Sequence, residues 1–167
     1  MTVFYCSKCG VALTPDLTAL PTVPTVPGLD DPRPKGARQA PPTVARGCYA
    51  IEPEPWGVPF APQEDQENPV PSQPRGSLMA TQDDGFVISA GTRNTIVLHP
   101  DDADALQPLP HGENSTGCCG PNGTEGANRA CLCGARVATL AADCSGPYEL
   151  HLDPLRTYPF AHADGDA

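Results

Sequence analysis

Aromatic side chains make up only 5% of this 167-residue chain, and lysine occurs twice, at Lys8 and Lys35. So few aromatics leave little apolar area to bury, and domains with thin cores depend on staples such as metals or disulfides. Basic residues number 10 against 20 acidic ones, for a net charge of -10. A nucleic-acid partner needs Lys and Arg gathered on one face, so none is predicted. No apolar run approaches the about 20 residues that cross a bilayer, so no membrane contact is predicted either. The start, Met1-Thr-Val-Phe-Tyr-Cys6, lacks the basic and apolar regions of a signal peptide, which points to the cytoplasm. Catalytic signatures are missing as well. The glycines between Gly112 and Gly126 are followed by no phosphate-binding lysine, and no cysteine or serine stands in a nucleophile motif.

Charge and proline are present in excess, and unevenly. Residues 1–60 carry five basic and five acidic side chains, whereas 61–167 carry five and fifteen, so the negative field belongs to the C-terminal part. Arginine outnumbers lysine, a bias common in high-GC bacterial genomes. Fourteen of the 22 prolines fall between Leu20 and Gly76, in steps such as Pro21-Thr-Val-Pro24 that favour extended polyproline conformations. Residues 21–80 therefore read as an extended spacer with one aromatic island at 48–60. Tyr49, Ile51, Trp56 and Phe60 in that island are expected to dock on the folded part, with a partner site around Trp56 as the sharper alternative.

Outside the spacer the pattern is β. Thr2–Tyr5 and Val11–Thr14 flank the turn Cys6-Ser-Lys-Cys9-Gly10 and predict a hairpin over 1–20, followed by one helical turn from Thr14. The apolar runs Gly85–Gly91 and Thr95–His99 predict a second hairpin, and His99–Leu106 a short helical turn. Ala135–Leu140 and Tyr148–Leu152 predict a third strand pair, joined through Cys144. These elements make up an acidic domain over 81–160, with 161–167 as a tail. His151-Leu-Asp153 sets two titratable groups on one strand face, an arrangement that solvated strands also show.

Seven of the eight cysteines stand at the two ends of the chain: Cys6-x2-Cys9, and Cys118-Cys119-x11-Cys131-x-Cys133-x10-Cys144. In a reducing compartment such groups more often hold metal than pair as disulfides. Tyr5-Cys-Ser-Lys-Cys-Gly10 and Ala130-Cys-Leu-Cys-Gly134, each leading into an apolar strand, resemble the two knuckles of a zinc ribbon, although the second has one spacer residue where the family has two. The resemblance covers about twenty residues. It implies a small, mainly β, metal-stabilised fold with Zn²⁺ as the cofactor, and no activity.

Two partitions of the ligands are open. In the favoured one Cys6, Cys9, Cys131 and Cys133 share an ion across the chain, leaving Cys118, Cys119 and Cys144 with Cys48, His111 or His151 as a fourth ligand, or with the incomplete shell of a catalytic zinc that binds water. In the other, Cys131, Cys133, Cys144 and one of Cys118 or Cys119 hold a local ion. The functional expectation is a non-catalytic zinc protein that binds an unknown protein partner. The alternative is a thiol redox or metal switch built on Cys118/Cys119, Cys131/Cys133 and Cys144.

Overall fold

The computed structural model describes residues 1–25, 33 and 35–162, and over these the chain is mainly β. Twelve strands form: β1 (Thr2–Cys6), β2 (Thr18–Ala19), β3 (Cys48–Glu52), β4 (Phe60–Pro62), β5 (Ala80–Thr81), β6 (Gly85–Ser89), β7 (Thr95–Leu98), β8 (Gln107–Pro108), β9 (Arg129–Ala130), β10 (Arg136–Ala141), β11 (Glu149–Leu152) and β12 (Thr157–Ala161). Among the described residues helix is confined to 3-10 turns at Pro100–Ala103 and Pro110–Gly112. No helix among the described residues is long and apolar enough to cross a membrane.

A seven-stranded sheet in the order β2-β3-β7-β11-β10-β9-β8 carries the molecule. Its centre is β7, Thr-Ile-Val-Leu, and β11, Glu-Leu-His-Leu, both buried along their whole length. The β-branched and apolar residues of β7 suit a strand flanked on both sides. Side chains alternate across the sheet, and the register puts Ile96, Leu98, Leu150 and Leu152 on one face. That face packs against Phe4, Leu13 and Leu17 of the N-terminal segment and forms the apolar core. The opposite face is polar: Glu52, Thr95, Glu149 and His151 lie there, nearly all out of contact with solvent. Residues of the proline-rich stretch cover it. Trp56 stacks on His151 with ring centroids 3.6 Å apart, and Arg75 bridges Glu52 and Glu149.

The expected hairpin between the two apolar runs of residues 85–99 does not form. β6 pairs with β4 and β5 in a three-stranded sheet, whereas β7 pairs with β3 and β11. The break comes at Gly91, which passes so close to the backbone of 56–58 that a Cβ would collide with the Trp56 carbonyl oxygen. Ala90 donates its N–H to the Pro59 carbonyl at 2.8 Å, and the chain crosses from one sheet to the other.

The helical turn expected from Thr14 is also absent. Leu17 instead exchanges two backbone hydrogen bonds with Thr2, at 2.8 and 2.9 Å, and the Thr14 hydroxyl accepts the Phe4 N–H. Extended backbone satisfies these groups and buries Leu17 completely, which a helical turn pointing away from β1 would not. Within the aromatic island, Trp56 is buried and Tyr49 meets Phe4 edge-on, while Ile51 is exposed and Phe60 is only half-buried. The indole of Trp56 packs against the sheet, as the docking expectation had it.

β1 and β12 form a separate antiparallel ribbon, in register from Thr2↔Ala161 to Cys6↔Thr157. Sequence reading gave β12 no strand. Tyr5 stacks on Tyr158 at 5.6 Å, and Phe160 meets Tyr5 edge-on.

Two candidate cysteine centres

The first centre is built by two turns that curl sulfurs inward. β1 ends at Cys6, whose carbonyl accepts the Gly10 N–H at 2.8 Å; the Cys131 carbonyl accepts the Gly134 N–H at the same distance. Gly10 and Gly134 adopt φ of 71° and 80°, left-handed values that a side chain disfavours. The β1–β12 ribbon on one side and β9–β10 on the other bring the turns together. Cys6 Sγ lies 3.7 Å from Cys133 Sγ and Cys9 Sγ 3.6 Å from Cys131 Sγ, with all four within 4.8 Å of one another.

Zinc–sulfur bonds of about 2.3 Å in a tetrahedron place sulfurs about 3.8 Å apart, close to the two distances seen. Crowding marks the thiols. Burial and the neighbouring sulfurs push Cys131 up to about 12, whereas the Ala135 N–H draws Cys133 down to about 7. Four such groups do not ionise together unless a cation sits among them, and metal binding supplies that charge.

The second centre gathers Cys118, Cys119 and Cys144, also within 4.8 Å of one another. Its organiser is Asp143, which sequence reading missed. One carboxylate oxygen accepts the N–H groups of both Cys118 and Cys119 at 2.8 Å, and the other accepts the Ser145 hydroxyl at 2.6 Å. The Cys119 N–H and the Ser145 hydroxyl hold the Asp143 carboxyl far below its usual range. Adjacent cysteines in extended chain point apart; this pinned turn makes them converge. The signal was local, since Asp143 and Ser145 flank Cys144 directly.

The ligand partition that the structure brings together is thus the one across the chain. Cys144 stands with Cys118 and Cys119, and neither Cys131 nor Cys133 belongs to that group. Cys48 lies in β3, and it joins neither cluster. His111 sits in the turn at Pro110–Gly112 and His151 inside the sheet, so neither completes a centre.

A third polar constellation lies between the sheet and its cover. Glu149 accepts from Arg75 and from His151 Nε2, and Thr95 Oγ1 lies 2.8 Å from His151 Nδ1. Because Glu149 is acceptor-only, Nε2 carries the imidazole proton and the Thr95 hydroxyl donates to Nδ1. A cavity of about 190 Å³ touches Thr95, His151 and Asp153, with Trp56 as its roof. His151 is 2% exposed beneath the indole, and the constellation serves as a polar lock between sheet and cover, although the buried Trp56 Nε1–H above it has no hydrogen-bond partner among the described residues.

The geometry defines a small, mainly β protein with two cysteine groups that can hold metal ions. No family model, no curated protein and no solved structure matches the chain.

Proposed function

We propose that this chain is a non-catalytic zinc protein whose Cys6, Cys9, Cys131 and Cys133 hold one structural Zn²⁺, and that it serves as a protein-binding module. One observation carries the reading: two glycine-closed cysteine turns, from segments more than a hundred residues apart, meet with sulfur spacings suited to a tetrahedral ion. An ion there stabilises contacts whose closure otherwise costs chain entropy. The surface offers a partner an acidic field and, on the β1–β12 ribbon, the exposed rings of Tyr158 and Phe160. Aromatic side chains presented this way are common anchors of protein interfaces.

Zinc stoichiometry by native mass spectrometry tests the centre. Cys9→Ala and Cys133→Ala should each remove the same ion, and the double variant should lose no more than either alone, because one missing ligand removes most of a structural site's binding free energy. Additive losses would separate the two turns and end this reading.

A second reading, a thiol or metal switch, draws on Cys118, which is exposed beside Cys119 and Cys144. It requires peroxide to release zinc and form a disulfide among these three, reversibly on reduction. Peptide mapping of the oxidised protein would find that bond or reject the switch.

A further inference from the structure

The two cysteine centres differ in a way that bears on chemistry. Around Cys6, Cys9, Cys131 and Cys133 the protein supplies four sulfurs, a closed set. Around Cys118, Cys119 and Cys144 it supplies three, and no fourth Cys, His, Asp or Glu among the described residues joins them. Asp143 is the nearest carboxylate in sequence, but both its oxygens are engaged by the Cys118 and Cys119 N–H groups and the Ser145 hydroxyl. It braces the turn and leaves the fourth position unfilled by protein. Structural zinc sites are four-coordinate through protein ligands, whereas sites that act on a ligand keep one position open.

We propose that Cys118, Cys119 and Cys144 form an open zinc centre whose fourth position takes a small-molecule thiol, bound as its thiolate. Three thiolates leave the ion polarising but soft in character, a match for a fourth sulfur. On binding, the thiol's S–H proton goes to solvent and a zinc–sulfur bond forms; no oxidant or reductant takes part. A metal-bound thiol stays deprotonated at neutral pH, which makes it a standing nucleophile.

The centre is open to solvent, with Cys118 exposed and Cys119 and Cys144 part-buried, so a small thiol reaches the ion without a path through the fold. A cleft of about 180 Å³ begins one residue beyond Cys144 in the chain, at Ser145–Pro147, but none of the three cysteines lines it. The proposal rests on the metal reading of the cysteines and not on the partner-binding role.

The test uses the full chain, reduced with a phosphine so that no thiol is present, and loaded with Co²⁺, whose sulfur charge-transfer absorption reports each thiolate bound. Two cobalt ions per chain are expected, and 2-mercaptoethanol should raise the absorption saturably, one equivalent per chain. Cys144→Ser should lose one cobalt and the whole response; Cys9→Ala should lose the other cobalt and keep the response. X-ray absorption on the unaltered zinc protein gives an arm free of folding defects: a mean sulfur number between three and four, rising to four with the thiol. Two bound ions whose spectra ignore the thiol, or are already four-sulfur without it, would overturn the open centre. A single cobalt that survives Cys144→Ser and vanishes in Cys9→Ala would overturn it too, while leaving the structural ion intact. No bound cobalt would end both.

Discussion

Arg75 shows how much rests on one side chain. Its guanidinium lies 2.6 Å from Glu52 and 3.0 Å from Glu149, carboxylates whose side chains are 5% and 0% exposed. Arg75→Ala strands both anions in the interior, and breaking a buried pair this way costs about 3–5 kcal/mol. Arg93 pairs with Glu54 in the open, with both side chains more than half exposed, so Arg93→Ala should cost less than about 1 kcal/mol. Urea denaturation of the two variants measures the contrast.

The same network sets the acid response. Burial lowers the His151 pKa from 6.5, overcoming the attraction of Glu149, so the folded state keeps His151 neutral where an unfolded chain would protonate it. Burial alone would raise Glu149, but the hydrogen bond from the His151 Nε2–H and the charge and hydrogen bonds of Arg75 prevail and hold its carboxyl below 4.5. Both groups bind fewer protons folded than unfolded. Stability should therefore decline as pH falls below about 6.5 and decline further below about 4.5, with no loss from either group on going up from pH 7. An NMR titration in which the His151 ring protonates above pH 6.5 would contradict this.

Among the elements, the cysteine turns depend on backbone that only glycine adopts without strain. Gly134 has φ of 80° and nothing within 4 Å of where a Cβ would sit, so Gly134→Ala meets a conformational cost and no clash. That cost is about 1–2 kcal/mol. Metal affinity measured against a competing chelator should fall by roughly tenfold, since 1.4 kcal/mol is one decade.

Elements that were readable from the sequence had local signatures: the β-rich run of β1, the glycine-closed turns, the β10–β11 pair and the acidic turn after His99. β6 and β7 were readable as strands but not as members of different sheets, because which runs pair is decided by packing at Gly91 and not by alternation. β12, Thr-Tyr-Pro-Phe-Ala, hides its strand behind a proline, which is tolerated because the ribbon leaves it an edge. The three-sulfur group was visible in the cysteine spacing. The carboxylate that shapes it, and the arginine that crosses from the proline-rich stretch to the sheet, were not, since partners so distant in sequence leave no periodic trace.

For the molecule as a whole, the structure offers two sources of cohesion. The apolar core under β7 and β11 joins Ile96, Leu98, Leu150 and Leu152 to Phe4, Leu13 and Leu17, which is more than the scarcity of aromatics suggested. The β1–β12 ribbon pairs with no strand of the seven-stranded sheet and meets it through Phe4, residues 11–17 and the cysteine turns. Removing metal with a chelator should therefore act unequally. Amide hydrogen exchange is expected to quicken first in β1, β12 and the turn at Cys131–Gly134, while β7 and β11 remain protected. Equal acceleration everywhere would mean that the core does not stand without the ion.

The distance along the chain between the two halves of the first centre also imposes an order in time. Cys6 and Cys9 precede Cys133 and Cys131 by 127 and 122 residues. At a synthesis rate of about 5–20 residues per second, roughly 6–25 s pass between the polymerisation of these cysteines and that of their counterparts. β1 waits longer still, for β12. During that interval Thr2–Cys6 has its local partner at residues 11–17 but lacks β12, and Cys6 and Cys9 lack the other half of their group. β12, which pairs with β1, follows both cysteine pairs in the chain, so the ribbon and the first centre close only after Ala161 has been synthesised.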